Sequence, residues 1–262
     1  MFSDARRASA RRAPDAGVRL TGDVEWISAC VDLGVVHEHV SVYLVRTGAG
    51  ALVVDSGSFC HEEHVRRRID QATDGEGIRA LILSHSDYPH SGNIPAFRTH
   101  WGDFEIVASC ADPEIQGLPY ATRVRLGEVT EVLGRRFTFV DPPLADRSHT
   151  TWIYDHASRV LFTADGFGSY HVAGECESVS TAFADGVPAA RIHEYHRDTF
   201  PWLRYVDPDK LRSRLFELFR QLPAAWIAPV HGHPVAAADL DQYLDRLCTA
   251  AERIAAAYSI PG

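Results

Sequence analysis

An apolar run, Ala80-Leu81-Ile82-Leu83, gives way at once to Ser84-His85-Ser86-Asp87-Tyr88-Pro89-His90-Ser91-Gly92-Asn93, and a helix-like segment follows. The pattern predicts a short buried strand, a loop and a helix. His85, Asp87 and His90 are thereby confined to one strand-to-helix loop. Two imidazoles and a carboxylate so crowded match the donor set of a divalent metal, each offering a lone pair at about 2.0–2.2 Å. The competing use of these residues is helix capping, for which Asp87 or Ser91 is suited. If the loop binds metal, acids and imidazoles from distant parts of the chain must meet it.

The rest of the chain supplies candidates, each at the end of an apolar run. His149 precedes Thr150-Thr151-Trp152-Ile153-Tyr154, Asp165 follows Val160-Leu161-Phe162-Thr163-Ala164, and His231 and His233 follow Trp226-Ile227-Ala228-Pro229-Val230. Side chains at strand ends can converge on one edge of a sheet and stay reachable by substrate. Further strands are predicted at Val24 to Cys30, Val40 to Val45, Ala51 to Asp55, Phe104 to Ala108, Phe137 to Val140 and Arg159 to Thr163, with hairpin turns at Thr47 to Gly50 and Asp155 to Ser158. Helices are predicted at His61 to Gln71, Pro208 to Leu222 and Pro234 to Tyr258. Two runs of strands, each followed by helices, predict two sheets packed face to face with helices outside. Residues 21–262 read as one domain, and residues 1–20, with five arginines and no apolar core, as a loosely attached tail.

The donor order His-x-Asp-x-x-His, then His, Asp and His, resembles the metallo-β-lactamase superfamily, over Val24 to about Pro234. Within it, Leu161-Phe162-Thr163-Ala164-Asp165-Gly166-Phe167-Gly168 and Ile227-Ala228-Pro229-Val230-His231-Gly232 look most like the diiron domain of flavodiiron proteins and their oxygen-binding relatives. The resemblance implies an α+β fold, the αββα sandwich of two mixed sheets, with two metal ions at the sheet edges. It implies one ion held by His85, Asp87, His149 and Asp165, and a second by His90, His231 and a bridging Asp165. The diiron proteins carry Glu where this chain has Asp87, and the zinc hydrolases carry His. A carboxylate there favours iron, with zinc or manganese the alternatives. The departure is Pro89, where both branches of the family have Asp. Proline offers no ligand and stiffens the loop, so the second site is expected to be weak or altered. Replacement donors named by the sequence are His233, His171, His193, His196, His37 or water. His171 and His196 also fall in the segment Gly168 to Phe200, expected to cover the pocket, and Tyr88 is placed to line it. Asp55, ending a strand, is expected either to support a ligating histidine from behind or to serve the turn.

The function so implied is a non-haem iron protein that binds or reduces O2 or NO, or oxidises a small substrate with external electrons. Because the chain ends soon after His231, a separate electron-donor flavoprotein is expected as partner, and a homodimer is in keeping with the relatives. The alternative is a zinc-type hydrolase of an ester, lactone, thioester or phosphoester, in which the metals acidify a bridging water. A metal-free binding module is a third class. The net charge of −9 argues against nucleic acid as partner. No apolar stretch reaches the ~18 residues of a membrane span, and the amino-terminal segment lacks the apolar region of a secretory signal. A cytoplasmic protein is expected. Fourteen histidines fit a metal protein, whereas five scattered cysteines without a Cys-x-x-Cys predict neither disulfides nor a zinc ribbon.

Overall fold

A computed structural model describes residues 17–109, 118 and 120–258. In chain order, β1 (Val18–Arg19), β2 (Val24–Ile27), the hairpin β3 (Cys30–Asp32) and β4 (His37–His39), β5 (Val42–Thr47) and β6 (Gly50–Val54) come first. Helix α1 (Glu62–Ala72), β7 (Ala80–Leu83), the single turn α2 (Tyr88–Ser91), α3 (Ile94–Trp101), β8 (Glu105–Ala108) and β9 (Thr122–Arg123) follow. The second half runs β10 (Val129–Val132), β11 (Arg135–Val140), β12 (Trp152–Asp155), β13 (Val160–Phe162), α4 (Ala189–Thr199), α5 (Pro208–Gln221), β14 (Trp226–Ala228), β15 (Val235–Ala236) and α6 (Leu240–Ala257).

One sheet has the order β1-β2-β5-β6-β7-β8-β9, the other β10-β11-β12-β13-β14-β15. Both are mixed, since β6-β7-β8-β9 and β13-β14 pair in parallel and the other neighbours antiparallel. Strands buried on both faces explain why the sequence reads as apolar runs rather than alternation. In β7, Leu81 and Leu83 face the layer of α1 and α3, while Ala80 and Ile82 face the opposite sheet. In β12 and β13, Trp152, Tyr154 and Leu161 pack under α4, α5 and α6, whereas Ile153, Val160 and Phe162 fill the space between the sheets. The layers are therefore helix, sheet, sheet, helix, as expected.

The carboxyl ends of the parallel strands β6, β7, β13 and β14 lie on one edge, where open α/β sheets place their ligands. The opposite edge is tied by Arg135 at the start of β11. Its guanidinium donates to Asp155, at the end of β12, and to Asp23, ahead of β2 in the other sheet, as well as to the Arg46 carbonyl at 3.2 Å.

Two sequence readings are corrected. The tail expected to reach residue 20 gives up Val18–Arg19, which pairs with Glu25 and Trp26, and Leu20, which is buried; residues 1–16 lie outside the described part. The last helix begins at Leu240 rather than Pro234, because Val235–Ala236 first pairs with β14. The segment Gly168 to Phe200 supplies α4, whose Ile192, Tyr195 and His196 are buried.

Candidate metal centre

The edge carries the donors the sequence singled out. His85 leaves the end of β7, and Asp87 begins α2 with an extended backbone (ψ 153°) and no side-chain capping bond, so its carboxylate remains available. Ser91 turns away from capping, its hydroxyl donating to the Ser86 carbonyl at 2.7 Å. His90 lies on α2 and is buried. Asp165 follows β13 in a turn closed by Gly166 N–H to the Thr163 carbonyl at 2.8 Å. His231 follows β14. Positive φ at Asp55 (59°), Ala164 (49°) and Phe167 (65°), none of them glycine, marks the same edge, and such backbone is held only where the surroundings over-determine it.

The geometry gathers the imidazoles about Asp165. Its Oδ1 lies 2.9 Å from His90 Nε2 and 3.5 Å from His231 Nε2. The His85 ring is centred 3.8 Å from that of His90 and 5.9 Å from that of His149. His149 Nε2 lies 3.8 Å from Asp87 Oδ1, while Asp87 Oδ2 accepts from Arg147 Nε at 2.9 Å.

The far nitrogens are already engaged. His90 Nδ1 donates to Asp55 Oδ2 at 2.9 Å, and His231 Nδ1 donates to the His39 carbonyl at 2.7 Å. Asp55 is itself fixed by Ser84 N–H and the Ser84 hydroxyl, both at 2.8 Å. These bonds fix the tautomers and leave Nε2 of each ring facing inward. His85 Nε2 and His149 Nε2 are buried without a hydrogen bond, a condition that costs about 1–3 kcal/mol per group unless something else engages them. Donor chemistry, inward aim and lack of partners fit a metal centre.

Charge is poised accordingly. Burial, with the His90 charge beside it, pushes His85 down to about 3. Burial opposes the charge on His90, but Asp55 and Asp165 outweigh it and raise the imidazolium to about 10. Burial alone would raise Asp165, yet His90, His231 and His85 hold its carboxyl well below the usual range.

Sequence reasoning missed Asp146. Its side chain is 8% exposed, with Oδ2 3.9 Å from His85 Nε2 and 3.6 Å from Arg147 Nε. Oδ1 accepts from the Thr150 hydroxyl at 2.7 Å. Burial and the neighbouring Asp165 raise its carboxyl above the ordinary value. His85, Asp87 and Asp146 form one compact donor group, and His85, His90 and Asp165 another. The only sequence signal was an acid three residues before His149.

The replacement donors expected for Pro89 are placed otherwise. His37 and His171 join Cys30 and Cys176 in a separate group. His233 packs against His39 and His171, with Nδ1 bonded to the Ser178 carbonyl at 2.8 Å. His196 bonds its own helix through the Ile192 carbonyl at 2.8 Å and stacks on Phe200, which makes it part of the core rather than of the pocket. Tyr88 is 44% exposed, packs edge-on against Phe59 and accepts from Phe59 N–H.

The profile of the metallo-beta-lactamase superfamily matches residues 36–231. The chain belongs to that superfamily. Within it, the chain is 24% identical over 245 residues to the type A flavoprotein fprA of Rhodobacter capsulatus, covering 84% of this chain and 52% of that protein. It is 26% identical over 176 residues to a hydroxyacylglutathione hydrolase of Stenotrophomonas maltophilia, covering 63% and 64%. Among solved structures, a point mutant of the flavo di-iron protein from Thermotoga maritima superposes with a TM-score of 0.74 at 20% identity, over 87% of this chain and 59% of that one. The chain thus spans 52% and 64% of the length of these two relatives, and less than half of others it matches.

Proposed function

We propose that the protein is a non-haem diiron protein that binds or reduces O2 or NO. The carrying observation is the donor set. His85, His90, His149 and His231 aim nitrogens at a patch that three carboxylates share, Asp87, Asp146 and Asp165. Hard oxygen donors suit iron better than a nitrogen-rich shell does. In this reading His85, Asp87 and His149 hold one ion, His90 and His231 the other, and Asp165 bridges. Asp146, grouped with His85 and Asp87, would add an acid on the first ion's side of the centre.

Iron there would supply redox equivalents and open coordination positions for a diatomic ligand. The chain's own part is orientation and charge. Asp55 and the His39 carbonyl keep His90 and His231 turned inward. Tyr195 donates its hydroxyl to the Asp165 carbonyl at 3.0 Å and fixes the bridging residue from behind. Arg147 binds the outer oxygen of Asp87, leaving Oδ1 for the centre. Electrons would come from a separate donor, a flavoprotein in the simplest arrangement.

The hydrolase relatives support a second reading, metal-assisted cleavage of a thioester or another ester. Asp87 in place of an imidazole and Pro89 in place of an acid count against it. Protein from iron-supplemented cells, purified without oxygen, tests the choice. The expected result is near-stoichiometric iron, with O2 or NO consumption when a reduced flavin is supplied. Zinc-bound protein that hydrolyses thioesters and ignores both gases overturns the proposal.

A further inference from the structure

A second group of donors lies beside the first centre. Cys30 and His37 stand on the hairpin β3–β4; His171 and Cys176 belong to the segment after β13. Two backbone bonds dock that segment on the hairpin, His37 N–H to the His171 carbonyl at 2.7 Å and His171 N–H to the His37 carbonyl at 3.0 Å. Ser28 Oγ donates to the Cys176 carbonyl, and His39 Nε2 does so at 3.1 Å.

Four donor atoms meet there. Cys30 Sγ lies 3.2 Å from Cys176 Sγ, and His37 Nδ1 lies 3.7 Å from Cys30 Sγ and 3.8 Å from Cys176 Sγ. Together with His171 they form one compact set. The sulfurs are unbonded, far beyond the ~2.05 Å of a disulfide. His171 is fully buried, and neither of its ring nitrogens has a hydrogen bond. His37 turns its other nitrogen toward Asp32, with Nε2 3.8 Å from Oδ1, the arrangement of a carboxylate behind a ligating histidine. A tetrahedral ion with metal–sulfur of ~2.3 Å and metal–nitrogen of ~2.0–2.1 Å spaces its ligand atoms roughly 3.3–3.8 Å apart.

We infer that Cys30, His37, His171 and Cys176 form a second metal site, a closed two-sulfur, two-nitrogen site of the zinc type. Both thiols release their protons on binding, and no oxidant or reductant takes part. The donor set is soft and complete, with no position left for substrate, so its task is structural. It clamps the hairpin to the segment that crosses it. The same hairpin supplies the His39 carbonyl that orients His231, and Glu38, whose Oε1 lies 3.4 Å from His231 Nδ1. Loading the clamp therefore steadies one ligand of the first centre. The inference does not depend on what the first centre holds.

Cobalt titration of the reduced full-length protein tests it, because the first centre has no sulfur. One equivalent of Co²⁺ should give a thiolate-to-cobalt charge-transfer band with tetrahedral ligand-field intensity, and Zn²⁺ should bleach it. Cys176→Ser and Cys30→Ser should each cut the band by about half or more and the double variant should abolish it, while Cys60→Ser and Cys248→Ser, outside the donor group, retain it. The band should persist in Asp165→Ala. Reduced wild-type protein without a thiolate band overturns the inference, whatever the variants do. So does a band of undiminished intensity in Cys176→Ser, or any band in the double variant. A Cys30–Cys176 disulfide formed in air by protein that takes up no cobalt when reduced would make the pair a redox couple and equally sink the metal site.

Discussion

At the scale of single residues, the centre depends on where its acids come from. Asp165→Ala removes the oxygen that lies 2.9 Å from His90 Nε2 and 3.5 Å from His231 Nε2, and metal analysis should find both ions lost. Asp146→Asn should weaken retention of one ion by roughly 10–100-fold in chelator competition. Pro89→Asp, which returns an acid to the loop, should instead tighten the second ion. An Asp146→Asn protein that keeps both ions as tightly as wild type would show that Asp146 is not a ligand. A different residue contributes to the acid limit of folding. His196 is fully buried, and burial lowers it from 6.5 to about 4. Above pH 6.5 it is neutral in folded and unfolded chains alike. Between 6.5 and about 4 the unfolded chain takes up a proton and the folded chain does not, so stability falls, by on the order of 3 kcal/mol. Urea midpoints should drop over that interval, and drop less in His196→Gln. The residues proposed as donors, His85, Asp87, His90, His149, Asp165 and His231, drew notice in the sequence because each lies near the end of an apolar run. Asp146 did not, because a lone acid in a turn looks like any other turn residue.

At the scale of elements, the turns after β13 and β14 fit together through missing side chains. A Cβ on Gly168 would sit 2.0 Å from the Tyr195 ring, and one on Gly232 would sit 2.9 Å from the Gly168 Cα. Gly168→Ala should therefore cost about 1–3 kcal/mol in urea unfolding. It should also loosen the centre, because Tyr195 holds the Asp165 carbonyl. Unchanged stability and metal content in Gly168→Ala would show that α4 yields freely. The long apolar strands and α5 were readable from pattern. The hairpin β3–β4 was not, since Cys-Val-Asp and His-Glu-His show little of the β-branched and aromatic composition that marks strands. Nor could sequence pair Cys30 with Cys176 across 146 residues. That contact exists because the chain after β13 folds back over the hairpin.

At the scale of the whole molecule, two opposite edges of one sandwich are held by different means. Arg135→Ala would leave Asp155, fully buried, without its cation, at a cost on the order of 3 kcal/mol. Replacing both with apolar residues of similar size should recover much of that, a comparison chemical unfolding can make. Neither change should alter metal content, because Asp155 sits at the start of β13 pairing and Asp165 beyond its end. The layered architecture was legible from the order of apolar runs, whereas this tie was not, since Asp23, Arg135 and Asp155 come from three separate stretches of chain. The sandwich resembles a book whose spine is stitched by a guanidinium permanently bound into the chain. The fore-edge is joined by hydrogen bonds, Ser41 N–H to the Val230 carbonyl and Thr151 N–H to the Ser84 carbonyl among them, and adds donor groups that an ion from solution would tie together. Stripped of its ions, the protein should thus open from the fore-edge, with amide exchange quickening first around residues 165–171 and 231–233 while strands near Arg135 stay protected.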